Sequence, residues 1–275
     1  MIKPMLCQSL PKEDLKTFLK LSHNRWICNE KMDGDRIMLH SKSGVLSLFN
    51  RKGNDVTRVY PEFNKLELPD CILDGEMIVK NDKGISDFNG GITHRSHCKT
   101  EDKIAQACKD YPAVLVVFDI LEFDGHRITG LPLKDRMSYL DTLELEQLDS
   151  SYPIERITTF SNSEIITAWE DFISKGCEGI VLKDMNGLYY EGKRSGSWLK
   201  VKDVQEVDIY FTKYTTHNRG IRLESDTDIA ITCNGEQSQE VKEKIINEGR
   251  VLVSVRHLGV TETGKLRQPT FLKLV

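Results

Sequence analysis

The sequence has no long hydrophobic run: no apolar stretch approaches the ~18 residues needed to cross a bilayer, so no membrane partner is expected. The segment from Met1 to Leu10 has no basic stretch followed by an apolar block, so no secretory signal is expected and the chain reads as cytoplasmic. Seven cysteines are scattered, odd in number and without a C-x-x-C pair. That excludes a disulfide framework and a zinc ribbon, and reduced, mostly buried thiols are expected. The histidines, among them His94 and His97, show no ligand spacing, which points to surface roles. An excess of positive charge is also missing. With 38 basic against 42 acidic residues the net charge is −4, which excludes a protein coated in positive potential but leaves room for a local basic groove. Internal repeats, low-complexity tracts and Pro-rich linkers are absent as well.

What is present is 275 residues with 39% hydrophobic and 29% charged content, enough for two ordinary domains or one large one. Strands are expected at Trp26–Glu30, Ile37–His40, Val45–Asn50, Ile72–Val79 and Val114–Leu121, and helices at Pro11–Leu21 and Lys134–Leu148. The clearest helix follows Phe160. Ser161 and Glu164 suit a capping box, Ile165, Ile166, Trp169, Phe172 and Ile173 form one apolar stripe, and Gly176 ends it. Strands Gly179–Lys183 and Trp198–Lys202 come next. From about Val204 short β-like segments dominate (Val207–Phe211, Ile229–Thr232, Val251–Val255, Thr270–Leu274), with one helix at Gln239–Glu248. Four or five strands and one helix suit a small β-barrel of the OB type. The class is thus α+β, with domains expected at 1–203 and 204–275.

The segment Lys31-Met32-Asp33-Gly34-Asp35-Arg36 follows an apolar strand directly. Lysine becomes a nucleophile where burial or neighbouring positive charge favours its neutral amine. Gly34 lets the backbone turn tightly, and Arg36 can return to hold a phosphate or sugar. A strand-end turn carrying surface charges is the competing reading. Further polar groups sit inside apolar strands: Asp74 and Glu76 within Ile72–Val79, Glu178 before Ile180-Val181-Leu182, Lys183 after it, and Lys200 and Lys202 on one side of a strand. Such groups are costly unless paired or used. One alone reads as a structural ion pair. Four together point to a polar cavity between sheets.

These segments resemble, in order and approximate spacing, the motif set of the covalent nucleotidyltransferases: ATP-dependent DNA ligases, RNA ligases and mRNA capping enzymes. The resemblance runs through Lys31 to Arg36, Phe49 to Gly53, Asp74 to Glu76, Phe118 to Leu121, Glu178 to Lys183 and Trp198 to Lys202. Asp87-Phe88 with Arg95, Leu131 to Arg136 and the form Trp-Leu-Lys-Val-Lys pull toward DNA ligases. Leu266 to Phe271 resembles the last motif, in the OB domain, with a basic tail shortened to Lys273. The fold implied is an adenylation domain of packed antiparallel sheets with flanking helices, followed by the OB barrel.

That resemblance implies an ATP-dependent DNA ligase that seals nicks through lysyl-AMP in three transfers. Lys31 takes AMP from ATP. Lys200 and Lys202 grip the α-phosphate, and their field favours the neutral form of Lys31. Glu76 and Glu178 organise Mg²⁺ or Mn²⁺. Glu30 meets the adenine amino group, Phe118 stacks on the base, and Arg36 and Glu76 reach the ribose. Lys183 belongs to the nucleotide-binding set. Asp33 serves the later steps, Arg51 suits the 5′-phosphate, and Arg267 orients pyrophosphate in the first step. Trp198 is expected to be a packing residue, and Lys52, Lys193 and Arg194 to be solvated.

The implied partners are ATP and nicked duplex DNA, with the chain a monomer. Little sequence precedes Lys31, so the DNA clamp is expected from the two core domains. Arg250, Arg256, His257, Lys265, Arg267 and Lys273 stand against Glu262 alone near the C-terminus, a candidate backbone-contacting surface; a solvated barrel face is the competing reading. An RNA ligase or capping-type enzyme is the alternative, and an inactive nucleic-acid-binding relative a remote one. NAD as adenylate donor is disfavoured, because neither a nicotinamide-recognising module nor a four-cysteine zinc element has a counterpart.

Overall fold

The computed structural model describes residues 2–145, 148, 152–218, 220–260 and 264–275, apart from the side chains of Phe88 and Asn89. The chain divides into two compact units, Met1–Val201 and Lys202–Val275.

In the first unit, two sheets are built from strands with different residues on each side. In chain order its elements are β1 (Leu6–Ser9), α1 (Leu15–Leu21), β2 (Trp26–Glu30), β3 (Asp35–Lys42), β4 (Val45–Asn50), β5 (Cys71–Val79), α2 (Thr93–Ser96), α3 (Glu101–Asp110), β6 (Ala113–Phe123), β7 (His126–Arg127), α4 (Leu133–Asp141), β8 (Ile154–Arg156), α5 (Ile165–Ser174), β9 (Gly179–Asp184) and β10, which runs from Arg194 to Lys202. One sheet has the order β1-β10-β9-β2 and the other β4-β3-β5-β6-β7, with β8 added alongside β6. The pairs β3/β4, β3/β5, β5/β6 and β2/β9 are antiparallel, as expected; β1/β10 and β6/β8 are parallel.

Side-chain alternation assigns each face. On β5, Leu73, Met77 and Val79 join a core behind the six-stranded sheet with Ile37, Leu39, Leu115 and Val117. Ile72, Asp74, Glu76 and Ile78 take the opposite face. On the four-stranded sheet, Trp26, Cys28, Ile180, Leu182, Leu199 and Val201 pack against Leu15 of α1 and Ile165, Ala168 and Phe172 of α5. Burying each large apolar side chain of that stripe contributes about 1.5–3 kcal/mol. The capping box at Ser161 and Glu164 forms and leads into α5, and Gly176 takes a φ of +80° just after it. The two inner faces meet through Met38, Ile72 and Leu121 on one side and Trp198 on the other.

The expected helix Lys134–Leu148 stops at Asp141. Thr142 bonds back to the Tyr139 carbonyl through both its backbone N–H (3.1 Å) and its hydroxyl (2.7 Å), and Glu144 turns to a φ of +48°. Part of that stretch lies outside the described residues. Helix α3 was not foreseen because only Ile104 and Ala107 are buried along it.

The second unit holds β11 (Gln205–Phe211), β12 (Lys213–His217), β13 (Gly220–Glu224), β14 (Ala230–Asn234), α6 (Gln237–Glu248), β15 (Val251–His257) and β16 (Thr270–Leu274). Two three-stranded antiparallel sheets, β11-β15-β16 and β12-β13-β14, enclose Phe211, Ile221, Leu223, Ile231 and Val253. This is the small β-barrel expected, with one strand more than the upper count. The strands not named in the sequence are β12, which is mostly polar and exposed, and β13, a five-residue run with only Ile221 and Leu223 buried. No helix among the described residues is long and apolar enough to cross a membrane.

Candidate active site

Between the inner faces of the first unit lies a cleft lined by Asn29, Lys31, Arg36, Glu76, Phe118 and Lys183 among others. Lys31 follows the last residue of β2. Its N–H donates to the Gly179 carbonyl at 2.8 Å, so the backbone keeps strand geometry up to the nucleophile. Asp33, Gly34 and Asp35 then cross to β3. Gly34 is required here by close approach: a Cβ would stand 2.2 Å from the Met77 carbonyl oxygen.

Lys31 Nζ donates to Glu178 Oε2 at 2.6 Å, and the Glu178 side chain is 1% exposed. Burial pulls the Lys31 ammonium toward neutrality and is the largest single influence. The charge and hydrogen bond of Glu178, with Glu76 and Asp33, together exceed it, and the net direction is upward. This corrects the expectation that neighbouring cations hold Lys31 neutral. Lys200 and Lys202 share the Trp198 side of β10 by alternation, but neither lines the cleft.

Glu76 lines the same cleft. Burial pushes its carboxyl up to about 7, with Arg36 and Lys31 opposing and Asp74 and Asp35 adding to the rise. Arg36 grips Asp74 with two hydrogen bonds, Nε to Oδ1 at 2.5 Å and Nη2 to Oδ2 at 2.6 Å. Its guanidinium lies 4.5 Å from the Phe118 ring centroid and 5.5 Å from that of Trp198. Phe118 is placed by irregular pairing: Asp74 pairs with Asp119 and Gly75 with Val117, so Phe118 is skipped. Such a bulge re-aims a side chain, here toward the cleft. Trp198 is 2% exposed and packs edge-on against Phe118 and Tyr189, the packing role expected of it.

Lys183 is 3% exposed, donates to the Phe118 carbonyl at 3.2 Å, and sits 4.5 Å and 4.6 Å from the Phe118 and Trp198 ring centroids. Burial, with Arg36 adding, lowers its ammonium to about 8 against the pull of Asp119 and Asp74. The unfolded chain keeps this proton to about pH 10.5, whereas the folded chain releases it near 8. The burial penalty is therefore full below pH 8 and disappears as pH rises from 8 to 10.5. Lys183→Met is expected to stabilise the protein at pH 7 by up to about 3 kcal/mol and to flatten that alkaline rise, measured by urea melts across pH 7–10.5. A variant no more stable than wild type at neutral pH would contradict it.

Other expected residues are placed differently. Glu30 does line the cleft, but its carboxyl is pushed up by burial and hydrogen-bonds the Cys177 thiol. Asn29, two residues before Lys31 and paired with Val181 on the cleft face, was missed; the i, i+2 rule would have found it. Its amide nitrogen donates to Thr158 O at 3.0 Å and Thr159 Oγ1 at 2.9 Å, which leaves its oxygen as an acceptor. Asp33 is buried, with its N–H donating to Ser86 Oγ at 3.0 Å. Arg51 is exposed on a turn outside the cleft, where Asn50 Oδ1 accepts from Lys52 N and Asn54 N. Arg194 donates to the Cys7 carbonyl rather than to solvent alone.

Arg95 is buried and serves the fold, donating to Val59 O and Glu62. Arg267 belongs to the second unit, where its backbone pairs with Leu258 and Gly259. The C-terminal basic group is reduced too: His257 is buried and Arg256 pairs with Glu206 at 3.1 Å. Its single acid, Glu262, lies outside the described residues.

Comparison with known proteins bears on the same segments. The sequence profile of the family described as ATP dependent DNA ligase domain matches residues 4–202. A SPbeta prophage-derived DNA ligase-like protein LigB of Bacillus subtilis is 28% identical over 285 residues, covering 98% of this chain and 97% of its own. A DNA ligase of Pyrobaculum islandicum is 33% identical over 207 residues, covering 73% of this chain and 34% of its own length. The chain thus spans about a third of that archaeal relative. Among solved structures, a Lig E DNA ligase from work on DNA binding with a minimal scaffold superposes at a TM-score of 0.70 with 16% identity, each chain covered completely. A mycobacterial DNA ligase D complexed with ATP and MES gives 0.60 with 19% identity, over 100% of this chain and 95% of that one. These superpositions show a shared fold. A profile that begins before the first strand and runs through Lys31, Arg36, Glu76, Phe118 and Lys183 covers every wall of the cleft, and the chain belongs to the ATP-dependent DNA ligase family.

Proposed function

We propose that the chain seals nicks in duplex DNA by three nucleotidyl transfers centred on Lys31. The observation that carries this is the lysine at the end of β2, facing Glu178 and Glu76 across a cleft that also holds Arg36 and Lys183. In the first transfer a bond forms from Lys31 Nζ to the α-phosphorus of ATP, pyrophosphate leaves, and the amine gives up its proton. In the second, AMP passes to the 5′-phosphate at a nick and restores the lysine. In the third, the 3′-hydroxyl attacks that phosphate and AMP departs.

Lys31 rests charged against Glu178, so the first step requires that pair to be broken and the proton lost. Glu76 and Glu178 fit a divalent ion of the Mg²⁺ type. Among the described residues no cluster of three metal-ligating side chains exists, and Mg²⁺ favours one or two carboxylates with substrate phosphates and water. Held there, the ion would offset phosphate charge and compete with Lys31 for Glu178. Arg36 and Phe118 contact ribose and base, and the Asn29 oxygen offers the acceptor that an adenine amino group requires, a better placement than the Cys177-bonded Glu30. Lys200 and Lys202 hold phosphate, Asp33 serves the later transfers, and Arg267 the first. The first unit is the adenylation domain and the second the OB domain, acting as a monomer.

Incubation with ATP and magnesium followed by intact-mass measurement tests this reading. One AMP per chain, and sealing of a nicked DNA duplex by that adduct, is the expected result; an unmodified protein ends the proposal. Nicks with RNA strands separate it from the RNA-ligase alternative.

DNA contact rests on exposed cations such as Arg51 and Lys52, since the chain as a whole is acidic. Affinity for nicked duplex is expected to fall about 10- to 100-fold between roughly 50 and 200 mM salt, as a few phosphate contacts dictate. A dissociation constant unchanged by salt in a titration would rule out this mode of binding.

A further inference from the structure

The mechanism above uses Arg36 and leaves unexplained a buried chain of hydrogen bonds behind it. Tyr189 is 4% exposed, and its hydroxyl donates to Asp74 Oδ2 at 2.6 Å. The same hydroxyl accepts from the Met5 N–H at 2.9 Å. Asp74, at 0% exposure, therefore receives three donors: Arg36 Nε on Oδ1, and Arg36 Nη2 and the Tyr189 hydroxyl on Oδ2.

We propose that Tyr189 is a positioning residue for ATP, fixing the plane of the Asp74 carboxylate and through it the Arg36 guanidinium. A carboxylate held by two donors from one guanidinium is free to tilt with it. A third donor from a fixed direction removes that freedom, and charge-assisted bonds of this kind are strongly directional. Tyr189 supplies the fixed direction because its own surroundings are closely packed and hydrogen-bonded. Its ring meets Trp198 at 5.8 Å and 87°, its backbone N–H donates to Thr129 O at 3.1 Å, and the neighbouring Tyr190 N–H meets Met5 Sδ at 3.1 Å. The segment before β1 is held as firmly: Ile2 and Met5 are 1% and 0% exposed, and Lys3 O accepts from Gly192 N–H at 3.0 Å. The relay thus runs from the backbone at Met5 through Tyr189 and Asp74 to a guanidinium that lies over Phe118 in the cleft. Sequence reading singled out Asp74 and Arg36 but gave no part to Tyr189.

This inference rests on Arg36 contacting the bound nucleotide, and the experiment separates the two. Single-turnover formation of lysyl-AMP is measured against ATP concentration for wild type, Tyr189→Phe, Arg36→Ala and the double variant. Tyr189→Phe is expected to raise the half-saturating ATP concentration about tenfold while the maximal rate stays within about twofold. The double variant is expected to be no worse than Arg36→Ala alone, because the hydroxyl acts through that guanidinium. A half-saturation unchanged by Tyr189→Phe overturns the proposal, as does a Tyr189→Phe effect that persists in full without Arg36. An Arg36→Ala variant with wild-type half-saturation instead overturns the role given to Arg36. Should Tyr189→Phe fail to fold, Asp74→Asn gives a second measurement. Its amide keeps the volume but cannot receive all three donors, so an unchanged half-saturation there also overturns the proposal.

Discussion

Lys31→Ala is expected to form no AMP adduct and to seal ordinary nicks at least about 10³-fold more slowly than wild type, because the attacking amine is gone. The same variant is expected to join a nick that already carries a 5′-adenylate, since the third transfer forms and breaks no bond to this side chain. Measuring both on one preparation separates loss of the nucleophile from loss of the cleft. Failure on both substrates would mean that Lys31 is needed to hold the site together. An AMP adduct on the alanine variant would place the nucleophile elsewhere. The shape of the cleft argues for the selective outcome. The cations Arg36 and Lys183 are anchored by Asp74 and the Phe118 carbonyl, neither of which depends on Lys31.

Arg136→Ala is expected to cost about 3–5 kcal/mol of stability, the usual result of leaving one buried charge without its partner. Arg136 and Asp119 are both 0% exposed and joined by two bonds, Nε to Oδ1 at 2.8 Å and Nη2 to Oδ2 at 2.7 Å. Nη1 further serves the carbonyls of Leu131 and Gly187 at 2.7 and 3.1 Å. The pair therefore ties α4 to β6 and to the turn after β9. A loss of this size corresponds to roughly 10 °C in melting temperature for a unit of some 200 residues. Asp119 stands next to Phe118, so nucleotide binding is expected to weaken along with stability. Replacing both partners, as Arg136→Met with Asp119→Leu, is expected to recover much of the loss, because no unpaired charge then remains. Urea melts decide the matter. A cost under about 1 kcal/mol for Arg136→Ala would mean that Asp119 finds water or another partner.

Much of the cleft was legible because its chemistry is expensive. Asp74, Glu76, Glu178 and Lys183 interrupt apolar strands, and alternation alone indicated a polar cavity between sheets. Trp26–Glu30, Val45–Asn50 and Thr270–Leu274 were read to the residue, since each is short and bounded by turn residues. What escaped was the arrangement of partners. The bulge at Phe118 leaves no composition signal, and a tyrosine in the turn-rich stretch before β10 gives no hint that it reaches Asp74. The state of Lys31 was read in the wrong direction for a similar reason. Lys200 and Lys202 are prominent in sequence, whereas Glu178 is the group in contact, and which of them prevails depends on distances that spacing does not encode.

Each inner wall stands on its own foundation. The residues behind the six-stranded sheet and those behind the four-stranded one form separate apolar clusters, with the cleft and a small bridging group between them. The hydrogen-bonding side of base recognition, around Asn29 and Val181 on β2 and β9, could therefore be altered without disturbing the layer that supports Arg36 and Glu76. The acceptor at Asn29 and the guanidinium at Arg36 thus rest on different scaffolds, and each can drift while the other is held.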